Sequence, residues 1–482
     1  MQTALITALP GTWVPAVHSV CHHNEVAALL KRSLGPTPYA ALEARGPVLD
    51  GFRIIRRAAS RFGAPSWGLL ETAQAYKGSM RRRYLEAHRS MMEDGPLTAK
   101  DYLLKAFVKA EKVEGWKLAK PRMIFPRSPR YNLALASRLK PFEHWLWSNL
   151  KSRAFSGVGN SRVVAKGLNQ VERANLIRRK MREVGEAVVF EVDGAAFEAH
   201  VDVWQLVQEH AVYGAAFPGD RELLKLLSKQ LSNKGVTQCG VKFGRDGGRA
   251  SGDVNTGMGN SIVMLAVVFG TMSSFSGVRW DVLVDGDNAL LFVEPTRASI
   301  VHANFAATAL RISGHEMVLE RPVTCVEEVR FGRSAPIRTA RGWKMVCDYT
   351  RVLSCRASSH QHLHEPKFAR EFLHGVSLCE SVLSDGVPVL WAYANHLRDQ
   401  TALTSAPRLE HLGEFEMKGV DLSRLGLRAA EPDWESRQSF HRAFGVCPQE
   451  QLELEARVRE ARVGYQRSDP VQSSQWYGFP FE

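Results

Sequence analysis

Asp193 and Asp287 are the residues of this 482-residue chain whose setting best suits chemistry. Asp193 ends an apolar run, Val189-Phe190-Glu191-Val192, that reads as a buried strand. Sheet-based sites commonly lie at such carboxyl ends, and a carboxylate there is a natural ligand for a hard divalent cation. Glu198 follows past a turn. Asp287 stands in Val284-Asp285-Gly286-Asp287-Asn288, flanked by the apolar halves 282–284 and 289–293. Asp-Gly there predicts a hairpin with Asp287 projecting from its tip. Between the two acids lies Ser251-Gly252-Asp253-Val254-Asn255-Thr256-Gly257-Met258-Gly259-Asn260. Gly252 lets the backbone approach a ligand, and Ser251, Thr256 and Asn260 offer hydrogen-bonding groups. Thr256 and Asn260 share one helix face at i,i+4. Each segment alone has a plain structural reading: a strand-end acid capping a helix, a glycine-rich helix entry, an exposed acid on a turn. Their order along the chain argues against three coincidences. A dinucleotide-binding reading of Gly257-x-Gly259 fails, because no strand precedes it and no third glycine follows.

The surrounding pattern predicts helices over 168–184, 201–213 and 221–231. A glycine-rich loop over 244–252 leads into a helix through 262–269, and the chain beyond Trp343 is mainly helical in pattern. A basic stretch from Lys100 to Arg138 includes Lys105, Lys109, Lys112, Lys117, Lys120, Arg122, Arg127 and Arg130. It suits contact with phosphate, and also reads as a solvated face. The whole chain carries 63 Lys+Arg against 50 Asp+Glu, a net charge of +13 that favours a polyanionic partner. Its 45% hydrophobic and 23% charged content excludes disorder, collagen and coiled coil as the main architecture. The seven cysteines are scattered and form no Cys-x-x-Cys, which points to a reducing compartment rather than a disulfide framework or zinc ribbon. The longest apolar run, 262–272, falls short of the ~20 residues of a membrane span. The start lacks the basic region of a signal peptide. His360-x-His362-x-His364 has no further ligand at recognisable spacing and reads as a polar turn. Residues 475–481 form an aromatic tail suited either to stacking bases or to packing on the protein.

In this order the segments resemble those of viral RNA-dependent RNA polymerases, closest to the tombusvirus-like group. Asp193 with Phe197, Glu198 and His200 resembles motif A, whose family form is Asp-x-x-x-Phe-Asp-x-His; Ser251 to Asn260 resembles motif B; Asp285 to Asn288 resembles motif C, usually Gly-Asp-Asp. Phe107 to Lys112 and Lys120 to Asn132 resemble the basic motif F region. Glu327 to Arg333, Gly342-Trp343-Lys344 and Ser439 to Gly445 resemble motif E and thumb segments. The resemblance implies an α+β right-hand fold with a mainly antiparallel palm sheet and a helical thumb. It implies an N-terminal extension over 1–100 bridging fingers and thumb, and fingers with motif F over 101–185. A palm over 186–338 would carry a fingers insertion near 205–249, with thumb and tail over 339–482. The implied activity is two-metal nucleotidyl transfer from nucleoside triphosphates onto RNA, copying an RNA template to replicate a viral genome. Mg²⁺ or Mn²⁺ would be held by Asp193 and Asp287, with Asn288 beside them. Lys109, Lys112, Lys120, Arg122 and Arg127 would clamp the triphosphate, Arg122 first because its planar fork suits phosphate. Glu198, Asn260, and Ser251 or Thr256 would sense the ribose 2′-OH. The expected partners are template RNA, nascent RNA, nucleoside triphosphates and a separate viral or host factor that anchors the chain to membranes in the host cytoplasm.

Two departures from the family pattern matter. Asn288 occupies the place of the second motif C acid, so charge is missing there, and Asp285 can supply part of it. Val318 stands where relatives often carry a motif D lysine. His315 has the right ordinary pKa to donate a proton to pyrophosphate, or else sits in a surface turn. The rival functions are a two-metal nuclease, which has no need of motifs B and F, and a catalytically decayed RNA-binding protein, suggested by Asn288.

Overall fold

The computed structural model describes residues 2–6, 9–114, 119–361, 363–402, 424 and 426–471. Lys117, His362 and the aromatic tail lie outside the described residues. The fold mixes helix with several antiparallel sheets.

At its centre is a four-stranded antiparallel sheet in the order Met317–Leu319, Val188–Gly194, Asn288–Val293, Trp280–Asp285. Side chains alternate faces along a strand. On one face Phe190, Val192, Val282, Val284, Ala289 and Leu291 are fully buried in the main core. Helices Thr256–Met272 and Pro295–Ser313 feed residues into that same core. On the other face Val189, Leu283, Leu290 and Phe292 pack with Ala174, Ile177, Met181 and Val184 of helix Gln170–Val184. The strands are therefore apolar on both faces, which is why they read as continuous apolar runs. Gly286 takes φ +67° as the first residue of the two-residue loop joining Trp280–Asp285 to Asn288–Val293, the place that hairpin turns reserve for glycine.

A second sheet runs in the order Met123–Ile124, Leu104–Val108, Ser232–Thr237, Lys242–Asp246. The last two strands form a hairpin where the sequence reading has a helix end and a glycine-rich loop. Ser232–Thr237 buries only alternate residues and carries Lys234 and Gly235, so it shows little of the apolar enrichment expected of a strand.

Among the first hundred residues, strand Gln2–Ile6 pairs with Arg462–Arg467, and Pro15–Ala16 pairs with Val113–Glu114. The first of these pairings joins the two halves of the chain. Helix Gly46–Ala59 instead belongs to the main core, burying Val48, Phe52 and Ile55 against helix Thr256–Met272. Gly51 makes that contact close, since a Cβ there would lie 2.8 Å from Ala266 Cα. Beyond the hairpin Ser334–Thr339/Gly342–Cys347, helices Pro366–Leu383, Leu390–Thr401, Trp434–Phe444 and Pro448–Glu460 build a core of their own around Leu373, Tyr393 and Phe440. Among the described residues no helix is long and apolar enough to cross a membrane.

Candidate active site

Strand pairing brings the acids together. Asn288 is the direct cross-strand partner of Asp193 on one side and of Asp285 on the other. The Gly194 amide donates to the Asp287 carbonyl at 3.2 Å, which fixes the hairpin tip beside the end of strand Val188–Gly194. Gly194 is needed there, because a Cβ would run into the Phe197 ring as the chain turns toward Glu198. Burial, and then the neighbouring Asp287 carboxylate, push the Asp193 carboxyl above its ordinary range, with Arg122 and Arg32 opposing. Two carboxylates that destabilise each other's charge fit a divalent cation between them, and both are hard oxygen donors. Asn288 adds an amide with no charge.

A cleft beside these acids is lined by Arg32, Arg122, Glu198, Arg245, Arg249 and Asp287. Burial raises the Glu198 pKa; Arg122 opposes this and Asp287 reinforces it. Arg122 precedes strand Met123–Ile124, its carbonyl accepting from the Lys109 amide at 2.8 Å. Its guanidinium lies 3.5 Å from Glu111, which Lys109 Nζ also approaches at 3.9 Å. Lys120 is exposed. The Arg32 pKa is lowered by burial and by the nearby Arg122 charge. Two cations held against each other beside a pair of acids are suited to an anion that contacts both.

The loop over 251–255 is pinned rather than free. The Phe125 amide donates to the Ser251 carbonyl at 2.7 Å, and Ser251 Oγ donates to the Met123 carbonyl at 3.3 Å. A Cβ on Gly252 would sit 2.7 Å from Pro126 N, so glycine permits this close passage. The Thr256 hydroxyl lies 3.0 Å from the Ala250 carbonyl and 2.8 Å from that of Asp253, holding the loop shape. Asn260 is buried, and its Oδ1 accepts from Arg249 Nε at 3.0 Å.

A model of viral RNA-dependent RNA polymerases matches this chain from residue 17 to residue 466. The chain belongs to that family. It is 32% identical over 388 residues to the RNA-directed RNA polymerase of Turnip crinkle virus, covering 79% of this chain and 48% of the relative. The counterpart from Red clover necrotic mosaic virus is 30% identical over 468 residues, 93% of this chain and 60% of the relative. That from Carnation mottle virus is 31% identical over 405 residues, 82% and 51%. The chain thus spans about half to three-fifths of the length of these relatives.

Several residues expected from the family pattern take other parts. Arg127 is 2% exposed and ion-paired with Asp253, and it donates to the Lys229 carbonyl at 2.7 Å and to Asn233 Oδ1 at 2.5 Å. It is an internal strut, not a clamp for a mobile anion. Lys112 Nζ donates to the Cys355 and Ser358 carbonyls, both at 2.8 Å, tying the basic region to the C-terminal helices. Asp285 is engaged by Arg173 at 2.7 Å, so its charge is already countered. His315 is not a surface residue. It is 1% exposed, its Nε2 lies 3.0 Å from Gln205 Oε1, and its ring packs on Phe197. Burial lowers its pKa to about 3, which leaves it neutral. His360 and His364 join no cluster able to hold a metal ion among the described residues.

Sequence reading missed Arg32, Arg245 and Arg249. Arg32 lies some 160 residues before motif A, in the segment Leu29–Ser33, and only the tertiary fold delivers it. Arg249 lies two residues before Ser251-Gly252, within the glycine-rich loop over 244–252, and its signal was a charged residue beside that segment.

Proposed function

We propose that the chain copies RNA into RNA, joining nucleoside triphosphates to a growing 3′ end as a viral genome replicase. The observation that carries this reading is the meeting of Asp193 and Asp287 at adjoining strand ends, beside a cleft holding Arg32, Arg122 and Glu198. In this reading the central sheet is the palm, the second sheet and residues 101–185 belong to the fingers, and the helices after 339 are the thumb. Gly286-Asp287-Asn288 is then a variant of motif C.

When bound, Mg²⁺ or Mn²⁺ ions supply neutralisation of the attacking 3′-oxygen and of the leaving pyrophosphate. Asp193 and Asp287 would hold them, each supplying a hard carboxylate oxygen. Arg122 and Arg32 receive the triphosphate from the other side of the cleft, where the fork of each guanidinium can grip two phosphate oxygens. Lys109 and Lys120, close in sequence to Arg122, would steer anions toward the cleft. Glu198 and Asn260 would offer a sugar 2′-OH one acceptor and one donor. With the central helix Thr256–Met272 carrying motif B, the base and sugar are held while the 3′-oxygen approaches in line.

Template and product RNA and nucleoside triphosphates are the proposed partners. A separate membrane-anchoring replication factor in the host cytoplasm would serve a chain whose described helices include none able to span a bilayer. Primer extension with labelled RNA, all four nucleoside triphosphates and Mg²⁺ or Mn²⁺ tests the proposal. Lengthening supports it. Shortening without triphosphates points to the nuclease, and salt-sensitive binding without incorporation points to a decayed binding protein.

A further inference from the structure

A buried ion pair stands directly behind the sugar-facing residues. The Arg249 guanidinium is paired with the Glu209 carboxylate through both of its terminal nitrogens, one at 3.2 Å. Glu209 is fully buried and Arg249 nearly so. The same carboxylate accepts from the Tyr213 hydroxyl at 2.7 Å and from Asn255 Nδ2 at 3.3 Å. Glu209 thus takes four donors, and they hold the guanidinium in one plane. That leaves Arg249 Nε for Asn260 Oδ1, at 3.0 Å.

Arginine has donors only, so Asn260 must turn its oxygen toward Arg249 and its amino group away. The orientation of Asn260 follows from the chemistry of its partner. The Arg249 main chain acts on the other half of the site, its amide donating to the Glu198 carbonyl at 2.8 Å. One residue therefore fixes both Glu198 and Asn260, through backbone and side chain respectively. Gly259 leaves the room for it, because a Cβ there would run into both the Glu209 carboxylate and the Arg249 guanidinium.

We infer that Glu209 is a positioning residue for sugar selection: it orients the Arg249 guanidinium so that Asn260 turns its amino group, a donor, toward a ribose 2′-OH, beside Glu198. This rests on the proposed RNA synthesis. Glu209 never touches the nucleotide. Its effect is carried by the plane of the Arg249 guanidinium.

The test compares kcat/KM for a ribonucleoside triphosphate and its 2′-deoxy counterpart on a primed RNA template, in the full chain with Mn²⁺. Glu209→Gln keeps the size but loses the charge that holds Arg249. The expected result is a roughly tenfold fall in the ribo/deoxy ratio, from loss of ribonucleotide efficiency, because a site built around a hydroxyl loses its advantage when its polar groups are misaligned. Tyr213→Phe removes one donor from the same carboxylate and keeps the charges paired. It is expected to fold with a melting temperature lowered by a few degrees and to lower the ratio by about threefold, so the inference stays testable if Glu209→Gln does not fold. Equal losses with both sugars, or an unchanged ratio in the folded variants, overturn the positioning role. Absence of incorporation by the wild-type chain with either metal would instead overturn the proposed RNA synthesis.

Discussion

Asp193 and Asn288 face each other across adjacent antiparallel strands, with Asp285 next in the same row on the far side of Asn288. The middle of this row is neutral, and Arg173 already counters Asp285. Asn288→Asp would therefore add an uncompensated carboxylate next to Asp193. The expected outcome is tighter use of Mg²⁺ and a smaller advantage of Mn²⁺, which tolerates irregular oxygen sites better. Titrating each metal in primer extension with both variants checks this, and identical metal dependences would remove Asn288 from the electrostatics of the site.

Asp193→Ala and Asp287→Ala should each reduce nucleotide incorporation by at least about a thousandfold, as expected for loss of a two-metal ligand. RNA affinity, set mainly by Lys and Arg contacts to phosphate, should change little. Extension assays paired with filter binding at fixed salt separate the two effects.

Arg122 and Arg127, five residues apart, should behave oppositely. Arg122→Ala, and likewise Arg32→Ala, should lower kcat/KM for nucleoside triphosphate by about 1–3 kcal/mol for a lost charge-assisted bond, with normal thermal stability. Arg127→Ala should destabilise the fold by about 3–5 kcal/mol, because Asp253 is left buried without its counter-charge. Denaturant melts and steady-state kinetics on the three variants decide it.

His315 gives the fold a sensitivity to acid. Its pKa near 3 in the folded chain lies below the ordinary value of 6.5, so between these values the unfolded chain binds a proton that the folded chain refuses. Stability contributed by the neutral ring is complete above pH 6.5 and falls by about 1.4 kcal/mol per pH unit as the pH drops toward 3. His315→Gln should flatten the stability profile between pH 6 and pH 5 and leave nucleotide incorporation at pH 7–8 without a missing proton donor. A sharp loss of the chemical step in that variant would restore His315 as an acid.

The acids, the motif B helix and the hairpin were legible in the sequence because each is written locally. An apolar run ends in Asp193, an Asp-Gly turn follows an apolar run at Asp285, and polar groups recur at helical spacing between Thr256 and Asn260. The fates of Arg127 and Lys112 were not legible. A basic run looks uniform in sequence, whereas Asp253, 126 residues away, selects Arg127 for burial. His315 was misread because its burial depends on Phe197 and Gln205, brought in from another part of the chain. The hairpin Ser232–Thr237/Lys242–Asp246 was missed because its strands are polar on one side and carry glycine. Arg32 was missed because nothing near it in sequence speaks of phosphate.

The pairing of strand Gln2–Ile6 with Arg462–Arg467 sets an order of events at the ribosome. Some 460 residues separate the partners, so strand Gln2–Ile6 must wait for that whole stretch to be translated before it can pair with Arg462–Arg467. At about 5–20 residues per second this is a delay of roughly half a minute to a minute and a half. During that interval an unpaired edge is exposed, which is the kind of surface that other chains can capture. The ring closed by this pairing therefore forms after the central sheet has been translated. A nascent chain truncated before residue 462 would carry the complete row of Asp193, Asn288 and Asp285 while its first strand still lacked its main partner.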